Sequence, residues 1–208
     1  MVPDDQQAVP NGEGAPQSRH DVSWLRRRRS VAVKRLGPPA PTDEELHEIL
    51  SAALSAPDHG ALRPWLLVLC ARQSRERLAE LFVAAKMARH PDSTGLELER
   101  EREKALRPPV LLALIAAPKP GHETIPEAEQ IASAGAALQS VLLAAFGLGY
   151  GAIMLSGSRC AAETVRAALG AGGGESLLGF ISIGTVVDTP KLASRPSLSD
   201  VLSVFDGS

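Results

Sequence analysis

The chain has 208 residues, 44% of them hydrophobic, which fits one globular domain with a sizeable core. Its 22 lysines and arginines against 24 acidic residues give a formal net charge of -2, which argues against bulk electrostatic capture of nucleic acid. Cys70 and Cys160 lie far apart in no metal-ligand spacing, so neither a disulfide framework nor a metal site is expected.

Residues 1–19 combine prolines, glycines and polar residues, a mixture that buries too little apolar area to order itself. We therefore predict a flexible leader followed by one domain over residues 20–208 that includes a C-terminal extension. The leader has no apolar signal core, and the chain has no run of about 18 apolar residues that would span a bilayer. These features predict a cytoplasmic protein without a membrane partner.

An arginine run, Arg26–Arg29, follows a short predicted helix and leads into Ser30. One interpretation is a solvated basic patch at a helix end, where cations suit the macrodipole. The other is an anion site, because guanidinium forks bind a phosphate bidentately and the serine adds a directional hydrogen bond. The run by itself leaves both interpretations open.

Residues 31–64 contain several residue patterns that commonly begin or end a helix. Val31–Val33 is predicted to be extended, and Thr42 with Glu45 forms a capping box for a helix that runs to about Ser55. Pro57 ends that helix, because the residue before a proline is pushed out of the helical region. The loop Asp58–Pro64 then places polar side chains beside a glycine.

Strands and helices alternate through the rest of the chain. Two continuous apolar runs predict strands buried on both faces, Trp65–Ala71 and Pro109–Ala116. Further strands are expected over Tyr150–Gly157 and Leu177–Gly184. Helices are expected over residues 73–89, over residues 97–107 with an exposed charged surface, over residues 125–148 with close packing on several sides, and over residues 161–169.

Five sequence blocks, in this order, resemble the FMN-dependent nitroreductase family, and in particular its short NAD(P)H nitroreductase branch. They are Arg28–Ser30, the helix headed by Pro41 and Thr42, the block Ala56–Trp65, the turn Gly149–Ile153 ending at Ser156 and Gly157, and Gly179–Thr185. The resemblance covers about residues 22–204. It implies an α+β fold with a central, mostly antiparallel sheet flanked by helices, assembled as an intertwined homodimer with two FMN sites at the interface.

The resemblance also implies roles for individual residues. Arg28 and Arg29 would hold the FMN phosphate and Ser30 the ribityl or phosphate oxygens, while Ser55 and His59 would reach FMN from the other subunit. Met154, Leu155 and Ser156 match a turn that lies against the flavin, and Arg195 matches a late basic residue that reaches the phosphate. The stretch Ala144, Ala145, Phe146, Gly147, Leu148 and Gly149 matches the segment assigned to the nicotinamide nucleotide. A structural loop histidine remains the alternative for His59, and plain core remains the alternative for that stretch.

The chain departs from the family pattern after the serine, where many relatives have an arginine three residues on. Val33 occupies that position here, and Lys34 and Arg35 follow it, so one of these could substitute or the phosphate could have one ligand fewer.

The activity implied is hydride transfer from NADH or NADPH to FMN, then to a nitroaromatic, quinone or related small electrophile in a ping-pong cycle. The flavin carries this chemistry, so no side-chain catalytic residue and no metal are expected. One alternative is a relative that binds or modifies flavin without reductase turnover. Another is a non-enzymatic protein whose arginine run contacts acidic partners.

Overall fold

A computed structural model describes residues 21–190 and 194–207 of the chain. The predicted leader, residues 1–19, lies outside these ranges. The helices are α1 (Ser23–Arg27), α2 (Asp43–Ser51), α3 (Arg75–Arg89), α4 (Gly95–Leu106), α5 (Glu127–Gly147) and α6 (Glu163–Ala168). The strands are β1 (Leu36–Gly37), β2 (Trp65–Leu69), β3 (Val110–Ala116), β4 (Gly151–Leu155) and β5 (Ser176–Val186).

The five strands form one sheet built around β5, the longest strand. Its order is β1-β5-β3-β2, and β4 pairs with β5. All four ladders are antiparallel, and a single parallel bridge joins Ser30 to Ala152. An antiparallel sheet flanked by helices is therefore confirmed.

Strand β3 carries apolar side chains on both of its faces, and helices cover both faces of the sheet. Leu112 and Leu114 point into a core shared with α2 and α5, whereas Leu111, Ala113 and Ile115 point into a second core shared with α3, α4 and α6. Every residue of β3 is buried, as predicted. This alternation follows the two-residue period of a strand.

Two local predictions are wrong. Strand β2 is not buried on both faces, because it lies at one end of the sheet order and leaves Leu66 and Leu69 about half exposed, at 47% and 49%. Val31–Val33 is not one extended segment, since Val33–Arg35 forms a 3-10 turn before β1.

The charged helix α4 is also less exposed than its composition predicts. Glu101 and Ala105 are buried against the rest of the molecule, while the other charged side chains remain at least partly accessible. Glu101 meets the buried Arg159, which comes from the 3-10 turn Ser158–Ala161. A carboxylate in a charged run thus has a buried ionic partner.

Helix α5 (Glu127–Gly147) is the long apolar helix of the chain. Within the described ranges it is long and apolar enough, by length and mean composition, to cross a bilayer. Gln130, Ser133 and Gln139 interrupt it, so it is not the continuous apolar run that the sequence excludes. The same composition suits a core helix: Ala134, Ala137, Val141 and Ala145 are fully buried. Its remaining apolar surface is only partly covered by this chain.

Candidate functional site

The arginine run lies beside the beginning of β4. Helix α1 ends at Arg27, and the N–H of Arg28 still donates to the carbonyl oxygen of Trp24, at 3.3 Å. Ser30 then bridges Ala152, whose carbonyl oxygen accepts from the N–H of Val31 at 3.0 Å. This backbone bridge holds the end of the run against the sheet.

Arg195 comes to the same place from the end of the chain. Its Nη2 donates to the carbonyl oxygen of Arg28 and, at 3.4 Å, to that of Arg26. Burial lowers the pKa of the Arg28 guanidinium, and the neighbouring charge of Arg195 lowers it further. The Arg195 guanidinium thus lies on the backbone of Arg28, 167 positions away, and adds a positive charge to the arginine run.

The arginine run Arg26–Arg29 and Arg195 are together called the arginine cluster. A cavity of about 510 Å³ opens next to it. Arg27 and Arg29 supply its cationic wall, and most of the rest is apolar. Phe146 lines it and stacks on Trp24, with ring centroids 6.4 Å apart. Its other lining residues are Val31, Gly149, Tyr150, Gly151, Ala152, Val186, Thr189 and Pro190.

Tyr150 fixes the turn that forms one wall of the cavity. Its hydroxyl donates to Oε2 of Glu45 at 2.7 Å. The pKa of Glu45 is lowered chiefly by the Thr42 N–H of the capping box and then by this hydroxyl, while the same bond raises the pKa of Tyr150. The start of α2 therefore anchors the chain reversal between α5 and β4.

The segment predicted to meet the nicotinamide nucleotide divides into two groups. Phe146 and Gly149 line the cavity together with Arg29, whereas Ala145 is fully buried in the core. Ala144 and Leu148 pack against that core, and Gly147 is exposed. Phe146 and Gly149 are the members with access to a ligand in the cavity.

Arg35 is already engaged within the chain. Its Nη1 lies 2.8 Å from Oδ2 of Asp188 and donates to the carbonyl oxygen of Thr189. These contacts satisfy a cation that the sequence offers as a substitute phosphate ligand. Lys34, beside it, is exposed.

Met154, Leu155 and Ser156 lie at the end of β4. Met154 and Leu155 belong to the strand and are half-buried, and Ser156 is exposed just after it. Ser156 lines a separate cavity of about 450 Å³ that Arg166 also lines.

Ser55 and His59 are placed elsewhere. The Ser55 hydroxyl donates to the carbonyl oxygen of Ala52 at 2.8 Å, closing the turn after α2. Nδ1 of His59 lies 2.8 Å from Oε1 of Glu129, in the first turn of α5. Glu129 and Phe146 are 17 residues apart on α5, which corresponds to roughly 25 Å of helix. One chain therefore does not bring His59 to the arginine cluster.

Sequence reasoning missed several neighbours of these residues. Glu129 carries only the general signal of an acid in a first helical turn. Nothing in the sequence distinguishes Arg27, which lines the cavity, from the other arginines of the run. The pairing of Tyr150 with Glu45 has no sequence signal, because 105 positions separate them. Among the residues that the structure describes, no group of three or more His, Cys, Asp or Glu side chains could hold a metal ion.

Comparisons with known proteins give one consistent result. The family model described as "Nitroreductase family" matches residues 25–185. The Escherichia coli K12 protein named "Putative NAD(P)H nitroreductase YdjA" is 32% identical over 178 residues, covering 86% of this chain and 92% of that protein.

Solved structures share the fold. A nitroreductase-like family protein from Bacillus cereus superposes with a TM-score of 0.74 at 22% identity, covering 89% of this chain and 95% of its own. A mutant of a Sphingopyxis enzyme, described as the FMN- and NADPH-dependent nitroreductase NfnB, gives a TM-score of 0.66 at 23% identity, covering 89% and 98%.

Proposed function

The chain belongs to the nitroreductase family, and on that premise we propose that it is an FMN-dependent NAD(P)H oxidoreductase. Its oxidants are nitroaromatics, quinones or related small electrophiles, reduced in a ping-pong cycle. The relatives' names support the reaction class, and the arginine cluster of this chain supports the cofactor.

The meeting of Arg195 with Arg28 carries the proposal. The Arg195 guanidinium donates to the backbone carbonyl of Arg28, so its charge adds to those of the arginine run. Such a concentration of positive charge favours a bound anion. A phosphate monoester matches guanidinium donors in charge and geometry, and the exposed hydroxyl of Ser30 adds a further hydrogen bond. The donor set therefore fits the phosphate end of FMN.

The chain's own residues would bind and orient the cofactor. Arg28, Arg29, Ser30 and Arg195 would hold the phosphate, and Met154, Leu155 and Ser156 would contact the ring. FMN supplies the hydride acceptance and donation that no side chain provides. The cavity beside Arg29 and Phe146 would admit the nicotinamide nucleotide, whose anionic groups suit its cationic wall and whose rings suit its apolar surface.

We propose that two copies of the chain complete each site. His59 lies near the N-terminal end of α5, and the arginine cluster lies near its C-terminal end. A second copy packed antiparallel along α5 would bring His59, and with it Ser55, to the same cofactor. The partly uncovered apolar surface of α5 is suited to such an interface. Leu198, Val201, Val204 and Phe205 are exposed as well, at 69–92%. Two free, buried cysteines are consistent with a reducing, cytoplasmic location.

An absorption spectrum of the purified protein, before and after anaerobic NADH or NADPH, tests the activity. We expect oxidised-flavin bands that bleach with a nucleotide and return on adding a nitroaromatic or quinone. A flavin that no nucleotide bleaches would contradict reductase turnover. A protein that takes up no added FMN would refute the cofactor assignment.

Variants at the cluster test the phosphate site. Arg28→Ala and Arg195→Ala should each weaken FMN binding about 10- to 100-fold, because each removes charge-assisted hydrogen bonds to the phosphate. Arg100→Ala, an exposed arginine on α4, is the matched control and should leave the FMN dissociation constant unchanged. Equal effects of all three substitutions would show that overall charge, and not this cluster, governs binding.

A further inference from the structure

The loop Asp58–Pro64, between α2 and β2, has an unusual backbone. Gly60, Ala61 and Arg63 have φ angles of 73°, 52° and 47°, in the left-handed region. Two of these three residues carry a Cβ, for which this region is unfavourable. A loop with such a backbone requires specific interactions that hold it.

Three such interactions are present. Oδ2 of Asp58 accepts from the N–H of Arg63 at 2.6 Å, and the N–H of Ala61 donates to the carbonyl oxygen of Asp58 at 3.2 Å. A Cβ at Gly60 would approach Cδ1 of Ile125 to 2.7 Å, so the loop packs tightly against the segment before α5. These interactions define the position of the loop, and the exposed side chain of His59 projects from it.

Glu129 makes the remaining contact, from the first turn of α5. Its Oε1 lies 2.8 Å from Nδ1 of His59. An ionised carboxylate only accepts hydrogen bonds, so the shared proton lies on Nδ1 and Nε2 is the ring nitrogen left for another partner.

The two side chains are 56% and 46% exposed, and ion pairs at that exposure contribute little to stability. A contact that spans 70 positions, fixes a ring and stabilises the fold only weakly is typical of an orienting interaction.

We propose that Glu129 is a positioning residue for His59. It fixes the imidazole as the Nδ1–H form and presents Nε2 to the FMN bound by the partner subunit. This inference rests on the proposed function, which supplies the cofactor. It assigns Glu129 no contact with FMN: the carboxylate acts through the ring.

The test compares four variants of the full-length protein: Glu129→Ala, Glu129→Gln, His59→Gln and the double variant Glu129→Ala/His59→Gln. Glu127→Ala is the matched control, because Glu127 is an exposed acid in the same helical turn. Circular dichroism and thermal melts first establish that each variant folds. The FMN dissociation constant is then measured by fluorescence, and the tautomer of His59 by nitrogen-15 NMR of the FMN-free protein, with His59→Gln identifying the signals.

We expect Glu129→Ala to weaken FMN binding about tenfold, the lower end of the scale found for carboxylates that orient a metal-binding histidine, and to move His59 toward the Nε2–H tautomer. Glu129→Gln should retain the Nδ1–H form and most of the affinity, because its amide oxygen still accepts the bond. In the His59→Gln background, Glu129→Ala should cause no further loss, and Glu127→Ala should resemble the wild type.

Three results would overturn the inference: an unchanged tautomer in Glu129→Ala, an unchanged FMN dissociation constant in that variant, or the same loss in the His59→Gln background. Failure of the proposed function gives a different result, because the wild-type protein would then bind no FMN. The His59 tautomer, measured without FMN, would still show whether Glu129 orients the ring. Normal FMN binding and bleaching in Glu129→Ala would leave the function intact and refute only the positioning role.

Discussion

Replacing Glu101 by glutamine removes the charge from a carboxylate buried between α4 and the turn Ser158–Ala161. Oε1 of Glu101 lies 3.3 Å from Nη1 of Arg159, and the two side chains are 11% and 8% exposed. Lys104 also contacts Glu101. The Glu101 carboxylate supplies the negative charge next to the buried Arg159 cation. Nε of Arg159 has no hydrogen-bond partner among the described residues. The guanidinium therefore depends strongly on this ion pair.

The magnitude follows from that burial. Breaking a buried ion pair by removing one partner costs about 3–5 kcal/mol. Phe82 and Phe180 still offer their rings to the guanidinium, with centroids at 5.1 and 5.7 Å, and the glutamine oxygen still accepts one hydrogen bond. We therefore expect about 3 kcal/mol, or roughly 6–12 °C in melting temperature for a chain of this length.

Urea denaturation followed by circular dichroism measures this loss. Glu99→Gln is the matched control: it lies on the same helix, is 61% exposed and pairs with Arg102 at 3.7 Å, so it should cost less than about 0.5 kcal/mol. Replacing both charges, as Glu101→Leu with Arg159→Met, should recover most of the stability. If the free energy of unfolding of Glu101→Gln equals that of the control, Arg159 does not depend on this carboxylate and the reasoning fails.

Three further perturbations test local features. Gly151→Ala should cost about 1–3 kcal/mol in urea denaturation and weaken FMN uptake, because the new Cβ would lie 2.7 Å from a methyl group of Val186. Thr42→Ala should cost about 1 kcal/mol by removing the side-chain half of the capping box, and a loss below a few tenths of a kcal/mol would contradict that role. Burial raises the pKa of Cys70 from 9.0 to about 11, so its thiol should react with disulfide reagents at pH 8 only as fast as the protein opens. Because the folded-state pKa is raised, this thiol's stabilising contribution is complete below about pH 9 and is lost as the pH rises through about 11.

Much of the fold is predictable because its signals are local. The capping box of Thr42 and Glu45 is present with both of its hydrogen bonds, and α5 begins and ends within about two residues of the predicted bounds. The buried strand β3 was identified by its unbroken apolar run. Each of these features depends on residues a few positions apart, whose geometry the backbone fixes.

The site was less predictable, because its residues depend on distant partners. The sequence singled out Arg28, His59 and Arg195 through a family resemblance, and their roles stay predictions. No periodicity indicates that Arg195 reaches the carbonyl oxygen of Arg28 or that His59 meets Glu129. The edge position of β2 was missed for the same reason, since an apolar run does not specify how many neighbours a strand has.

The sequence by itself determined approximately where most helices and strands lie, which segments are apolar enough for the core, and which family the blocks resemble. Those properties follow from hydrogen bonding and hydrophobic periodicity over a few residues. Only the tertiary structure decided that Arg159 buries its charge against Glu101, 58 positions away, and that the arginine cluster and His59 lie at opposite ends of α5. The packing of the helices on the two faces of the sheet sets those distances, and packing is a property of the whole chain.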